Sequence, residues 1–332
     1  MRRAPKGGGF LVLAALLALA ALAGHYLLAP MPTGEPVIVE VPAGAGARQI
    51  GTILQRAGVI RQGLAFSWLV RLQGQDLRLQ AGEYRMVPGT AVSRVIEQLL
   101  RGDVLTHPLT IPEGLTVEQI AGLVEASGLG NRDQFLAAAR NVELVRAFLP
   151  AGAPVPEPLE GYLFPDTYHF SRKTSEEVMV RTMVNRFAQA FPEQWRTRAA
   201  ELGFSVHQLA TLASIIEREA RVAAERPVIA GVFHNRLRVG MKLQADPTVL
   251  YALGRTTGTV LYRDLEVDSP FNTYRHAGLP PGPIANFGVD ALRAALFPAA
   301  VPYFYFVARN DGSHAFAETY RQHRANIARY QR

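Results

Sequence analysis

"ASIIEREARVAAERPVIAGVFHNRL", residues 213–237, is an apolar run that carries three glutamates. Ser205 stands before it as a helix N-cap, and "VHQLATLASIIEREARVAAE" (206–225) reads as one helix. Stepped at ~100° per residue, Leu209, Leu212, Ile215, Ile216 and Ala223 fall on one face. Glu219 follows Ile216 by three residues and Ile215 by four, so it lies inside that apolar stripe. Glu217 falls on the side of Ala213 and Ala220. Glu225 shares the outer face with Arg218 and Arg221, and this set reads as solvated and charge-paired. A carboxylate in an apolar stripe has two readings. One is a buried acid paired with Arg226 or Arg236. The other is a general acid, whose proton is retained near neutral pH because burial penalises the charged form.

The flanking segments are polar and rich in turns. "NRLRVGMKLQADPTVLYALG" (235–254) supplies Asn235, Gln244, Asp246 and Thr248. "DSPFNTYRHAGLPPGPIANFG" (268–288) supplies Asn272, Thr273 and Tyr274, followed by a stiff proline loop. These segments read as the walls of a cleft. Their amides, hydroxyls and aromatic rings suit neutral sugars better than phosphates. Upstream, "AGAPVPEPLEGYLFPDTYHF" (151–170) gathers Glu160, Tyr162, Phe164, Asp166 and Tyr168, either as a sugar platform or as a packed corner. Neither GxSxG nor SxxK occurs, and no phosphate-cradling glycine loop.

Composition narrows the class. The chain has 332 residues, a formal net charge of +7 and no cysteine, so thiol catalysis and disulfides are excluded. The eight histidines are scattered without HExxH or ligand spacing, which argues against zinc. Basicity suits anionic surroundings, yet no arginine–aromatic cluster marks a nucleic-acid module. At the N-terminus, "MRRAPKGGG" (1–9) precedes the uncharged "FLVLAALLALAALAGHYLLA", Phe10–Ala29. Such a run matches a hydrocarbon core of ~30 Å. Arg2, Arg3 and Lys6 mark its cytoplasmic side, so the rest of the chain is expected outside, behind an uncleaved single-pass helix. A cleaved signal peptide is the rival reading, and it also exports the remainder.

Residues 30–37 form a Pro/Gly linker. An internal repeat follows: "VPAGAGARQIGTILQRAGVI" (41–60) aligns with "IPEGLTVEQIAGLVEASGLG" (111–130), and "VPGTAVSRVIEQLLRGDV" (87–104) is a weaker copy. Each predicts a strand end, a Pro-Gly turn, a short helix and a glycine exit. We expect an α+β region over 38–150 and a mixed α/β catalytic domain over 151–332. The repeated units resemble the LysM pattern, which implies binding to N-acetylglucosamine-containing glycan. The same residues also serve as simple fold punctuation.

Taken together, "LEGYLFPDTY", "LASIIEREA", "ERPVIAGVFHNRL", "MKLQADPTVLYALG", "NTYRHAGLPPGPI" and "YFYFVARNDGSHAF" closely resemble the endolytic murein transglycosylases, the MltG/YceG-like family. The resemblance covers nearly the whole exported chain, in order. It implies a lytic-transglycosylase-type fold and an enzyme of the bacterial inner membrane, its catalytic domain on the periplasmic side. Such an enzyme cuts peptidoglycan glycan strands internally, leaves 1,6-anhydro-N-acetylmuramic ends, and uses no cofactor or metal. It also implies coupling to cell-wall synthases at the membrane, and no nucleic-acid partner. The family's catalytic acid falls on Glu219, with Glu217 as the fallback. Ala220 stands where lytic transglycosylases carry a small hydroxyl residue. Gln244, Asp246, Thr248, Asn272, Tyr274, Glu160 and Tyr162 are the expected substrate contacts. A muramidase-type hydrolase using Asp246 or Glu160 as a second carboxylate, and a non-catalytic wall-binding scaffold, are the alternatives.

Overall fold

All three repeated stretches fold as strand, turn and helix in the computed structural model, which describes residues 15–16, 18–19, 22, 24–146 and 159–331. β1 (Val37–Val41) leads into α1 (Ala47–Arg56), which is followed by α2 (Gly63–Leu72). β2 (Gly82–Met86) leads into α3 (Val92–Arg101), and β3 (His107–Thr110) into α4 (Val117–Ala126). The turn glycines Gly44, Gly89 and Gly114 have φ of +74°, +90° and +79°. The exit glycines Gly58, Gly102 and Gly128 have φ of +71°, +68° and +68°. L-residues with a Cβ rarely adopt that region, so the aligned glycines mark where the chain must reverse.

Two compact units emerge. The described residues up to His107, with His169–Lys173, form the first; Pro108–Tyr168 and the described residues from Thr174 form the second. In the first, β1 and β2 pair antiparallel, from Val37 opposite Met86 to Val41 opposite Gly82. Val39, Val41, Ile50, Leu54, Phe66, Val70, Tyr84 and Leu99 form its core. α1 and α2 touch through glycines, since a Cβ on Gly51 would lie 2.3 Å from the Gly63 carbonyl oxygen. The boundary expected at 150/151 falls among residues 147–158, outside the described ones, and the compact units divide elsewhere, at His107/Pro108.

Helices dominate the second unit. After α4 come α5 (Arg132–Ala138), β4 (Thr167–Phe170), α6 (Glu176–Ala190) and α7 (Glu193–Glu201). α8 (Val206–Glu219) is its buried axis, packed by α7, α9 (Arg226–Arg238), α10 (Asp246–Ala252) and α11 (Val289–Leu296). The hairpin β5 (Tyr305–Ala308) and β6 (His314–Ala317) then precedes α12 (Tyr320–Tyr330). β3 pairs with β4, so strands occur only as two-stranded sheets among the described residues. The architecture is mixed α+β.

The Phe10–Ala29 span lies largely outside the described residues, and its described residues up to Leu28 are helical. Among the described residues, no single helix is long and apolar enough to cross a membrane.

Candidate active site

α8 begins in a capping box. Ser205 Oγ accepts from the Gln208 backbone N–H, and Gln208 Oε1 accepts from the Ser205 N–H. Every residue from Leu209 to Ile216 is buried. The helix is pinned from behind: His207 bonds the Pro281 carbonyl at 2.7 Å, and Ser214 Oγ accepts from the Ile284 N–H at 3.0 Å. The proline loop therefore braces the helix. Contrary to the single helix expected to 225, α8 stops at Glu219, because Ala220 is extended (φ −77°, ψ 110°). The chain restarts in α9, with Pro227 in its first turn, where its missing N–H costs nothing. Ala223 consequently leaves the apolar stripe and is exposed.

Glu219 is thus the last residue of a buried helix. It lines a cleft of about 650 Å³ together with Asp246, and a side recess of about 270 Å³ with Gln244, Asp246 and Tyr274. Glu219 is half-buried as a residue, so solvent reaches it from the cleft. Protein still surrounds its carboxyl closely enough that burial pushes the pKa up to about 8. The negative charge of Asp246 adds to the rise, while Arg236, the Asp246 backbone N–H and Arg221 oppose it. The helix C-terminus also disfavours a carboxylate. Among the described residues, no arginine or lysine lies within ion-pairing distance of Glu219. Arg226 pairs with Glu217 at 3.1 Å, and Arg236 donates to the Phe304 and Leu243 carbonyls. The buried ion pair with Arg226 or Arg236 is not what forms.

The cleft wall is built by three threads. Gln244 adopts φ +47°, uncommon for a residue other than glycine, and its N–H donates to the Thr273 carbonyl at 3.1 Å. Thr248 and Thr273 share a buried hydroxyl bond of 2.8 Å, and the Ala245 N–H donates to Thr273 Oγ1. Asn272 donates to the Leu265 and Val267 carbonyls and accepts the Tyr274 N–H. Tyr274 then gives its hydroxyl to Asp246 Oδ1 at 2.6 Å.

The chain is similar to known proteins over nearly its whole length. The YceG-like family pattern covers residues 39–329. The chain belongs to the YceG-like family. A relative from Bacillus subtilis (strain 168), named endolytic murein transglycosylase, is 35% identical over 323 residues, 93% of this chain and 89% of its own. A relative of the same name from Streptococcus pneumoniae (serotype 2, strain D39) is 29% identical, over 97% of this chain and 64% of its own. The crystal structure of a yceG-like protein of Listeria monocytogenes matches with a TM-score of 0.60 at 37% identity, covering 88% of this chain and 98% of that one.

In this YceG-like chain the sequence-predicted residues separate into two groups. Glu219, Gln244, Asp246 and Tyr274 meet at the cleft and its recess. Thr248 and Asn272 do not reach it; both are fully buried and hold the wall in shape. Glu160 is also buried elsewhere, accepting from the Val117 N–H and the Asn286 amide, with burial pushing its pKa up to about 8. Tyr162 is fully buried against Phe187 and bonds His207 Nδ1 at 2.8 Å. The 159–164 segment is therefore the packed corner rather than a sugar platform. Glu217 edges the cleft, but its oxygens are taken by Arg226 and the Gly288 N–H.

The outer face assigned to Glu225, Arg218 and Arg221 needs correcting. Arg218 donates to the Gly114 and Thr256 carbonyls. Glu225, beyond the helix break, grips β6: it accepts the His314 N–H at 3.0 Å and bonds His314 Nδ1 at 2.7 Å. His314 lines both the cleft and the recess, and among the described residues its Nε2 has no hydrogen-bond partner. His323, stacked near Tyr305 with ring centroids 5.2 Å apart, completes the recess; burial lowers its pKa, and Arg236 adds to that. Sequence reasoning missed both histidines. The signal was present in "NDGSHAF", but its partner stands 89 positions away. Among the described residues, no three His, Asp or Glu side chains are grouped to hold a metal ion.

Proposed function

We propose that this chain is a membrane-anchored endolytic peptidoglycan transglycosylase that cuts between N-acetylmuramic acid and N-acetylglucosamine inside glycan strands. The observation that carries the reading is Glu219: an unpaired acid on a cleft wall, with a pKa raised to about 8, that keeps a proton at neutral pH. Glu219 gives that proton to the bridging oxygen as the bond from sugar C1 to this oxygen breaks. The cationic centre left at C1 is stabilised by the 2-acetamido group and nearby dipoles. The Glu219 carboxylate then takes the C6 hydroxyl proton, and O6 bonds to C1. A 1,6-anhydro end forms, no water is consumed, and Glu219 finishes protonated. No step needs a metal or cofactor.

The relatives named endolytic murein transglycosylase support peptidoglycan as the substrate and transglycosylation as the reaction. The uncharged Phe10–Ala29 run after a basic N-terminus supports an inner-membrane anchor with the cleft on the periplasmic side. The three glycine-punctuated units support a LysM-like, glycan-binding reading of residues 38–150. Cell-wall synthases at the same membrane are the fitting partners.

One observation favours a second reading. Asp246 shares the cleft with Glu219 and would serve a hydrolase as its second carboxylate. Mass spectrometry of fragments released from purified glycan strands separates the two. Anhydro ends from the wild type, absent with Glu219→Gln, support the transglycosylase. Reducing ends would establish the hydrolase instead.

A further inference from the structure

α2 carries an apolar face that the fold does not use. Phe66, Ser67 and Val70 point into the first unit's core. Leu64, Trp68 and Leu72, spaced four apart on the opposite side, are 54%, 71% and 86% exposed, and Leu77 just beyond the helix is 98% exposed. Three large apolar side chains in water on one helix face are costly, and such a face marks a contact surface. Charge narrows the partner. From Val41 to Gln75 there is no acidic residue, while Arg48, Arg56, Arg61 and Arg71 are present; Asp76 and Arg78 follow.

Chain continuity supplies the second observation. Tyr26, near the end of the Phe10–Ala29 run, packs on Arg61: the guanidinium lies 4.7 Å from the ring centroid and donates to the tyrosine hydroxyl at 3.3 Å. Arg61 stands two residues before α2 begins. Leu28 packs against the first unit's core. The exit of the apolar run is therefore tied to the start of α2.

We propose that the Leu64–Trp68–Leu72 face of α2 lies on an anionic lipid surface, that of the membrane holding the N-terminal run. The leucines and the indole enter the boundary between headgroups and acyl chains, and the flanking arginines meet the headgroups. Glycan matches the exposed indole and the arginines but not the exposed leucines. The inference rests on the proposed membrane anchoring and adds a second, lateral contact to it.

The test uses the full chain in vesicles of phosphatidylethanolamine and phosphatidylglycerol with brominated acyl chains. The chain has two tryptophans, Trp68 and Trp195, so wild type minus Trp68→Phe isolates the signal of Trp68. The expected result is loss of at least half of the Trp68 emission in brominated vesicles, with little loss from Trp195. Replacing the anionic lipid with phosphatidylcholine should reduce that loss. Full Trp68 emission in vesicles that carry the protein through flotation overturns the docking and leaves the anchor intact. Emission that changes only on adding glycan strands or a partner protein also overturns it. If neither protein floats with vesicles, the anchoring and the docking fail together.

Discussion

Tyr274 donates its hydroxyl to Asp246 Oδ1 at 2.6 Å, and both residues line the recess that Glu219 enters. The bond fixes Asp246 beside the Glu219 carboxyl, whose pKa its charge helps to raise. Asn272 supports it from behind by accepting the Tyr274 N–H at 3.0 Å.

Replacing Glu219 with Gln keeps the shape and removes the transferable proton. Release of fragments from glycan strands should fall by a factor of about 10²–10⁴, the usual worth of a general acid–base. Sedimentation with intact peptidoglycan should be unchanged. Activity within a few-fold of wild type would move the acid to another residue, Glu217 first.

The pH profile follows from the same group. In the proposed mechanism cleavage needs protonated Glu219, so the rate should decline as pH rises through about 8. Replacing Asp246 with Asn removes the charge that helps raise this pKa, and the alkaline limb should move toward lower pH. A limb that stays in place in Asp246→Asn would mean that a different group titrates.

Stability should show a matching trend. Burial raises the folded pKa values of Glu219 and Glu160 to about 8 from an ordinary 4.5. Between those values the folded state holds protons that the unfolded state has released. Stability is therefore full below about 4.5 and falls as pH rises toward 8. Urea midpoints across that window should decrease for wild type and decrease less for Glu219→Gln.

Glu160 offers a clean separation of structure from catalysis. Its neutral form is already the favoured one at pH 7, so Glu160→Gln should cost less than about 1 kcal/mol and leave cleavage intact. Glu160→Ala strands the Val117 N–H and the Asn286 amide and should cost about 1–3 kcal/mol for each unsatisfied group. Loss of cleavage in a stable Glu160→Gln protein would give Glu160 a role in the chemistry.

Glu225 and His314 should behave as a unit. Glu225→Ala leaves the His314 backbone N–H and Nδ1 without their acceptor, and should lower the urea midpoint by the equivalent of about 2 kcal/mol. The double variant with His314→Ala should then lose less than the sum of the two single losses.

Local signals in the sequence carried a good part of this architecture. Ser205 stands at a helix start because its cap acts within one turn. The aligned glycines of the repeats mark left-handed positions whatever surrounds them. The helical period alone set Glu219 apart from Glu217 and Glu225. What escaped were long-range decisions. The helix breaks at Ala220 and Glu225 turns to His314, a partner no local pattern supplies. Thr248, Asn272, Glu160 and Tyr162 are polar residues in turn-rich text, the same signature that cleft contacts carry. Burial turned them into internal ties, and their bonding partners, among them Thr273, Asn286 and His207, are brought close only by folding.

Glu219 closes α8, and the turns behind it are packed on every side. An acid mounted on the tip of such a rod inherits its alignment from the rod. Trimming Leu209 or Leu212, or unhooking Ser214 from Ile284, would let the tip wander by fractions of an ångström without touching the cleft. A scan of inactivating substitutions should therefore trace the hidden length of the helix more sharply than the rim the substrate meets.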